Sequence, residues 1–186
     1  MLGAIILTGG ASSRMGTDKA RLSWGGSRAV DRCVALAKAV GAAAIFTVGG
    51  EPLGYPHVRD PSPLGGPVGG ILAGGSMLAR LGCERGLVLA VDAPTIAPGD
   101  IGGLLDQPGA GAAFAQCHLP LVFALERLPA SADPGWPIHR LIERIGLARP
   151  ECRADQTLRL RGANTPQERA RLLADAATLE ISSPMP

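Results

Sequence analysis

"LGAIILTGG", residues 2–10, sets an unbroken apolar run from Leu2 to Leu7 against two closing glycines, Gly9 and Gly10. A short run with no polar alternation is the pattern of a strand buried on both faces of a parallel sheet. The pattern returns at Ala43 to Val48 ("AAIFTV") and at Gly86 to Val91 ("GLVLAV"). Between these runs the apolar residues take helical spacing: Val30, Cys33, Val34, Ala37 and Val40 in the first interval, Ile71, Leu72, Met77 and Leu78 in the second. Alternation of this kind predicts right-handed βαβ units and an α/β fold of three layers, a mostly parallel central sheet with helices on both faces.

The C-terminal half is less regular. Ala112 to Gln116, Leu121 to Leu125 and Thr157 to Leu160 read as strands, one or two of them antiparallel. "WPIHRLIERIG" places Ile138, Leu141, Ile142 and Ile145 on one helical face closed by Gly146, with His139 off that stripe and facing solvent. "NTPQERARLL" carries a helix start, with Thr165 as N-cap, Pro166 at the first helical position and Glu168 completing a capping box. Asn164 is thereby expected where a strand hands over to a helix, which in an open α/β sheet is ligand territory.

The 186 residues suit a single domain, 1–180, with 181–186 expected as a flexible tail. The 26 glycines and 16 prolines punctuate apolar segments instead of clustering as low complexity. A net charge of +2, spread along the chain without aromatic interleaving, argues against nucleic acid as a partner. Cys33, Cys83, Cys117 and Cys152 lie far apart with no C-x-x-C, so they read as reduced thiols, neither a zinc site nor a disulfide framework. The first apolar run lacks a basic flank and stops at Leu7, so neither a signal peptide nor a membrane span is expected and a cytoplasmic location is the default.

The glycine loop after Leu7, "TGGASSRMGTDKA", is suited to phosphate, because glycines let backbone N–H groups approach an anion closely. It is not a P-loop: Gly10 and Gly16 are spaced wrongly, and Thr17 and Asp18 precede Lys19. It is not a dinucleotide fingerprint either, and the second apolar run ends in glycines where that fold needs an acid. Backbone donors plus two cations, Arg14 and Lys19, suit a triphosphate whose leaving pyrophosphate must be neutralised. The bland alternative is a surface turn with solvated charges.

"LTGGASSRMGTDKA" resembles, residue by residue, the signature L-A-G-G-x-S-x-R-M-G-x-D-K-A of the nucleotidyltransferases that build molybdopterin guanine dinucleotide, with Thr8 in place of Ala. Three further stretches resemble that family's motifs in order: "RDPSPLGGPVGGILAG", "LAVDAPTIAP" and "GANTPQERARL". The resemblance spans Leu2 to about Leu173. It implies a Rossmann-like fold of the nucleotide-diphospho-sugar transferase kind, and transfer of GMP from GTP to the terminal phosphate of molybdenum-bearing molybdopterin, with release of pyrophosphate and help from Mg2+. By the same resemblance, Leu7, Thr8, Gly9, Gly10, Ser12, Gly16, Lys19, Asp60, Gly66 and Asp92 would bind the nucleotide, and Arg14, Lys19 and Asp92 would act in catalysis. Transient contacts with molybdoenzymes or other cofactor-biosynthesis proteins would follow, and no membrane partner. "HLPLVFAL" resembles the family's H-P-x-x-A-L element, where a strand returns below the acceptor site, and is expected to be structural.

The acids have readings of their own. Asp92 follows a buried run, so it lies at the carboxyl end of a strand, where ligands bind. One carboxylate there, completed by substrate phosphates and water, matches the habit of Mg2+; capping the helix that begins in "PTIAPGD" is the other reading. Asp60 precedes a proline and starts a turn, Asp18 orients the loop beside Lys19, and Asn164 either organises phosphate oxygens or metal-bound water, or makes backbone caps. One departure concerns base choice: Gly49 stands where the family usually has Asn near the nucleotide. A cytidylyl or other nucleotidyltransferase with a different phosphorylated acceptor, and a non-catalytic nucleotide-binding module, are the alternative functions.

Overall fold

A computed structural model describes residues 1–9, 18–59, 66–133, 135–163 and 165–182. In chain order the elements are β1 (Leu2–Leu7), β2 (Ser23–Trp24), β3 (Ser27–Arg28), α1 (Ala29–Ala39), β4 (Ala44–Val48), β5 (His57–Val58), α2 (Gly66–Arg80), β6 (Arg85–Ala90), α3 (Pro98–Leu105), β7 (Gly111–Ala113), β8 (Leu121–Ala124), α4 (Ile138–Ile145), α5 (Ala154–Arg159) and α6 (Pro166–Ser182). The central sheet runs β5-β4-β1-β6-β8-β7, and β2 with β3 forms a small hairpin beside it. Strands β5, β4, β1 and β6 are parallel, whereas β8 runs antiparallel to both β6 and β7. The three expected N-terminal strands fold as expected, and the irregular half supplies the antiparallel edge.

Period-two alternation sorts the strand residues between two apolar layers. On one face Ala4, Ile6, Leu87 and Leu89 pack with Val30, Cys33, Val34 and Ala37 of α1 and with Ile101 and Leu104 of α3. On the other, Ile5, Leu7 and Val88 pack with Val68, Ile71 and Leu78 of α2 and with Leu141, Ile142 and Ile145 of α4. Helix α2 is rich in glycine, a residue that costs about 1 kcal/mol each against alanine in a helix interior. Close packing offsets this: a Cβ at Gly74 would lie 2.9 Å from Ile5, so the helix can sit down on β1 only where that side chain is missing. Ile71 and Leu78, both fully buried, each contribute roughly 1.5–3 kcal/mol by burial.

Helix α4 carries the predicted stripe and closes on Gly146 in the left-handed conformation (φ 78°). The capping box at α6 also forms: the Glu168 N–H donates to Thr165 Oγ1 and the Thr165 N–H to Glu168 Oε2, both at 3.1 Å. Three expectations need correction. Thr157 to Leu160 is not a strand but part of α5 and its C-cap, because Gln156 Oε1 caps the Arg153 N–H (2.8 Å) and Asp155 pairs with Arg159 one turn on (2.9 Å). No strand precedes α6 among the described residues: Arg161–Ala163 belongs to no ladder, and its Ala163 N–H donates to the Asp92 carbonyl at 2.9 Å. Ala112 to Gln116 is strand only at its start; beyond Ala113 it runs beside residues 148–150, with the Ala115 N–H donating to Pro150 O (2.9 Å). Among the described residues no helix is long and apolar enough to cross a membrane.

Candidate active site

Successive parallel strands are added on one side of β1 (β4, then β5) and afterwards on the other (β6), so the order reverses between β1 and β6. The carboxyl ends of strands at such a reversal leave a crevice that receives ligands. Leu7 pairs with Ala90 in register, and the next residues out, Thr8 and Gly9 on one side and Val91 and Asp92 on the other, form its lip.

The β4 side of the lip is closed by backbone. The Thr8 and Gly9 N–H groups both point at Val48 O (2.9 and 3.4 Å), and the buried Thr8 hydroxyl donates to Gly49 O at 2.5 Å. Gly49 has φ +77°, and a Cβ there would sit 3.0 Å from the Gly9 Cα. A side chain at this position, Asn included, would press on the Gly9 backbone unless β1 and β4 moved apart. The contact of Gly49 with Thr8 was not readable from sequence, where the two residues stand forty-one positions apart.

Lys19 opens a single 3-10 turn, Lys19–Arg21, which Asp18 caps by accepting the Ala20 N–H at 3.0 Å. The orienting role expected of Asp18 is thus visible. Asp92 is half-buried; burial pushes its carboxyl above the usual carboxylate range, while the Lys19 ammonium and its own backbone N–H pull it back. The thiol of Cys33, beneath this edge, is pushed up to about 12, first by burial and then by the Asp92 charge. The capping alternative for Asp92 is answered by Asp100: α3 begins at Pro98, and Asp100 Oδ2 accepts the Ala97 N–H at 2.8 Å. Asp92 is left facing the crevice.

Beside Asp92 lies a cavity of about 190 Å³, whose wall includes Ala93, Cys117, His118, Ile138 and Gly162. His118 stands on its exposed rim with its ring 5.9 Å from that of His139, and burial, Arg149 and His139 together hold its imidazole below the usual value. "HLPLVFAL" is therefore divided in its duties: Leu121–Ala124 is the structural strand β8, while His118 and Leu119 border the cavity. Nothing in the spacing of the histidines signals this meeting, which the α4 and β8 placements create.

The structure brings Leu7, Thr8, Gly9, Lys19 and Asp92 to one edge, and Gly66 opens α2. Gly10, Ser12, Arg14, Gly16, Asp60 and Asn164 lie outside the described residues. Among the described residues no three His, Cys, Asp or Glu side chains gather as a metal site.

Residues 4–135 match the family model described as the MobA-like NTP transferase domain. The molybdenum cofactor guanylyltransferase of Xanthomonas euvesicatoria is 30% identical over 179 residues, covering 91% of this chain and 93% of that protein. Among solved structures, a nucleotidyl transferase from Methanothermobacter thermautotroptrophicus superposes with a TM-score of 0.70 at 17% identity, covering 96% of this chain and 99% of that one. Molybdopterin-guanine dinucleotide biosynthesis protein A from Archaeoglobus fulgidus gives 0.59 at 14% identity, covering 96% and 100%. With the family model matched over residues 4–135 and a guanylyltransferase 30% identical over nine-tenths of both chains, the chain belongs to the MobA-like NTP transferase family.

Proposed function

We propose that the protein transfers the GMP moiety of GTP to the terminal phosphate of molybdenum-bearing molybdopterin, releasing pyrophosphate. The observation that carries this reading is that Asp92 stands beyond the end of β6 at the strand-order reversal, beside a cavity and within reach of the Lys19 charge. The kinship with a guanylyltransferase over nine-tenths of both chains supports the choice of substrates.

The nucleotide would lie over the carboxyl ends of β1 and β6, its triphosphate against the loop that follows Gly9. Lys19, with Arg14, would neutralise charge as pyrophosphate departs. Asp92 fits a hard divalent cation such as Mg2+: it is a carboxylate disfavoured by burial in its charged form, next to a cavity, and Mg2+ characteristically takes one or two protein carboxylates with phosphates and water. Bound there, such a cation would supply charge stabilisation at the reacting phosphates. The acceptor phosphate would enter from the cavity, past His118 and the nearby Arg149, whose guanidinium charge suits an anion. A phosphate nucleophile is already ionised, so the site needs no general base.

Pyrophosphate release measured with GTP, CTP, ATP and UTP, each with and without molybdopterin and Mg2+, tests the reading. Release is expected with GTP, acceptor and Mg2+ together. Release with CTP in place of GTP moves the chain to cytidylyl transfer, and no release under any combination leaves a nucleotide-binding module.

A further inference from the structure

Asp92 does not stand alone: a polar ring closes around it. Its carbonyl accepts the Ala163 N–H at 2.9 Å, and a Cβ at Gly162 would lie 3.1 Å from Asp92 Oδ2 and 3.2 Å from its Cγ. The backbone at 162–163 therefore forms the wall against which the carboxylate rests. That wall belongs to no sheet ladder, so something else must hold it.

The holder is Arg159. Its guanidinium grips Asp100 with two bonds, Nε to Oδ2 at 2.7 Å and Nη2 to Oδ1 at 2.6 Å, and Asp100 is 1% exposed. The Arg159 carbonyl accepts the Thr95 hydroxyl at 2.9 Å, and Gln156 Nε2 donates to the Asp100 carbonyl at 2.8 Å. Thr95 and Asp100 lie on the chain leaving Asp92, so the circuit runs from Asp92 along 93–100, across the ion pair to Arg159, and along 160–163 back to Asp92. The other flank of this loop is tied as well, by Arg32 Nε donating to Pro94 O at 2.8 Å.

A buried ion pair is a poor source of net stability, since apolar residues of similar volume often do as well or better. What a bidentate guanidinium–carboxylate pair does supply is fixed geometry. We infer that Arg159 is a positioning residue: through Asp100 it clamps the Gly162–Ala163 backbone onto Asp92 and thereby fixes where that carboxylate points. The inference rests on the reading of Asp92 as a working acid, and Gly162 is its contact point, where any side chain would displace the carboxylate.

The test compares Arg159→Met, Asp100→Asn with Arg159→Met together, and Gly162→Ala, with Asp92→Ala as reference. NMR-detected exchange of the Ala163 amide reads the clamp without reference to activity, and kcat and KM for GTP read its consequence. In both Arg159 variants the Ala163 amide is expected to lose protection while those of Leu87 to Leu89 keep theirs, with kcat lowered roughly tenfold or more and KM for GTP little changed. The double variant leaves no unpaired buried charge; if it regains wild-type kcat and Ala163 protection, Arg159 served stability alone and the inference is overturned. Gly162→Ala is expected to lower kcat with the Arg159–Asp100 pair intact, and unaltered kcat there likewise overturns it. If Asp92→Ala retains activity, the reading of Asp92 fails, while Ala163 exchange still reports on the clamp.

Discussion

Two aspartates eight positions apart, Asp92 just after β6 and Asp100 in the first turn of α3, have opposite surroundings. Asp100 is deeper, yet its carboxylate takes the Arg159 guanidinium through both oxygens and the Ala97 N–H as well. Asp92 is half-buried beside a cavity; among the described residues it has its own backbone N–H and the charge of Lys19, and burial still pushes its carboxyl up. Folding completes the coordination of one acid and leaves the other needing positive charge. Deep burial with full pairing marks an acid that holds structure; partial burial with incomplete compensation, at the edge of a crevice, marks one that awaits a ligand.

The contrast is broken most directly by Asp92→Asn. Turnover is expected to fall by roughly a thousandfold, whereas the melting temperature at neutral pH, in buffer free of metal and nucleotide, should rise. The sign follows from linkage: a carboxyl raised above its unfolded value binds its proton more tightly in the native state, so stability falls as pH rises through the window between the two values and stays lower above it. The gain from Asn should therefore vanish in acid, below the ordinary carboxylate range. A melting temperature that drops at neutral pH would place Asp92 among the structural acids. Asp100→Ala is the mirror experiment. It takes from the Arg159 guanidinium, about one-fifth exposed, its buried bidentate partner and leaves it only the half-exposed Asp155, and should cost about 2–4 kcal/mol in urea denaturation.

Sequence made the first of these acids visible and hid the second. Asp92 is announced by "GLVLAV", because a buried parallel strand delivers its next polar residue to the ligand edge whatever the rest of the fold does. The strands β1, β4 and β6 and the helices between them are legible for the same reason, each being specified by a local period. Asp100 and Arg159 meet across fifty-nine positions, and no local pattern encodes that meeting. The misreading of Thr157 to Leu160 has a similar origin: Leu158 and Leu160 alternate with polar residues as in a strand, but the side-chain cap from Gln156 and the pull of Asp100 on Arg159 select a short helix. The cavity was equally hidden, since its wall joins β6, the His118 loop, α4 and Gly162.

At the opposite lip, Gly49→Asn would restore the side chain that the family usually carries. Asn tolerates a positive φ better than most residues, but its Cβ would still press on the Gly9 backbone at 3.0 Å. A loss of about 1–3 kcal/mol is expected in urea denaturation, and an unchanged midpoint would mean that β1 and β4 can separate freely there.

The smallest effect belongs to Thr8→Ala, which installs the signature's own residue. The hydroxyl donates to the Gly49 carbonyl in a buried setting, so its removal should cost about 0.5–1.5 kcal/mol and leave the strands in place. Its interest lies in combination with Gly49→Asn. The two departures from the family pattern touch each other, and residues in direct contact are where additivity fails. If the Thr8 hydroxyl fastens Gly49 in the close approach that excludes a side chain, releasing it lets the lip open, and the double variant should lose less than the two single variants together. Strict additivity in the urea midpoints would show that Thr8 and Gly49 changed independently, and that the narrow lip is set by the strand pairing alone.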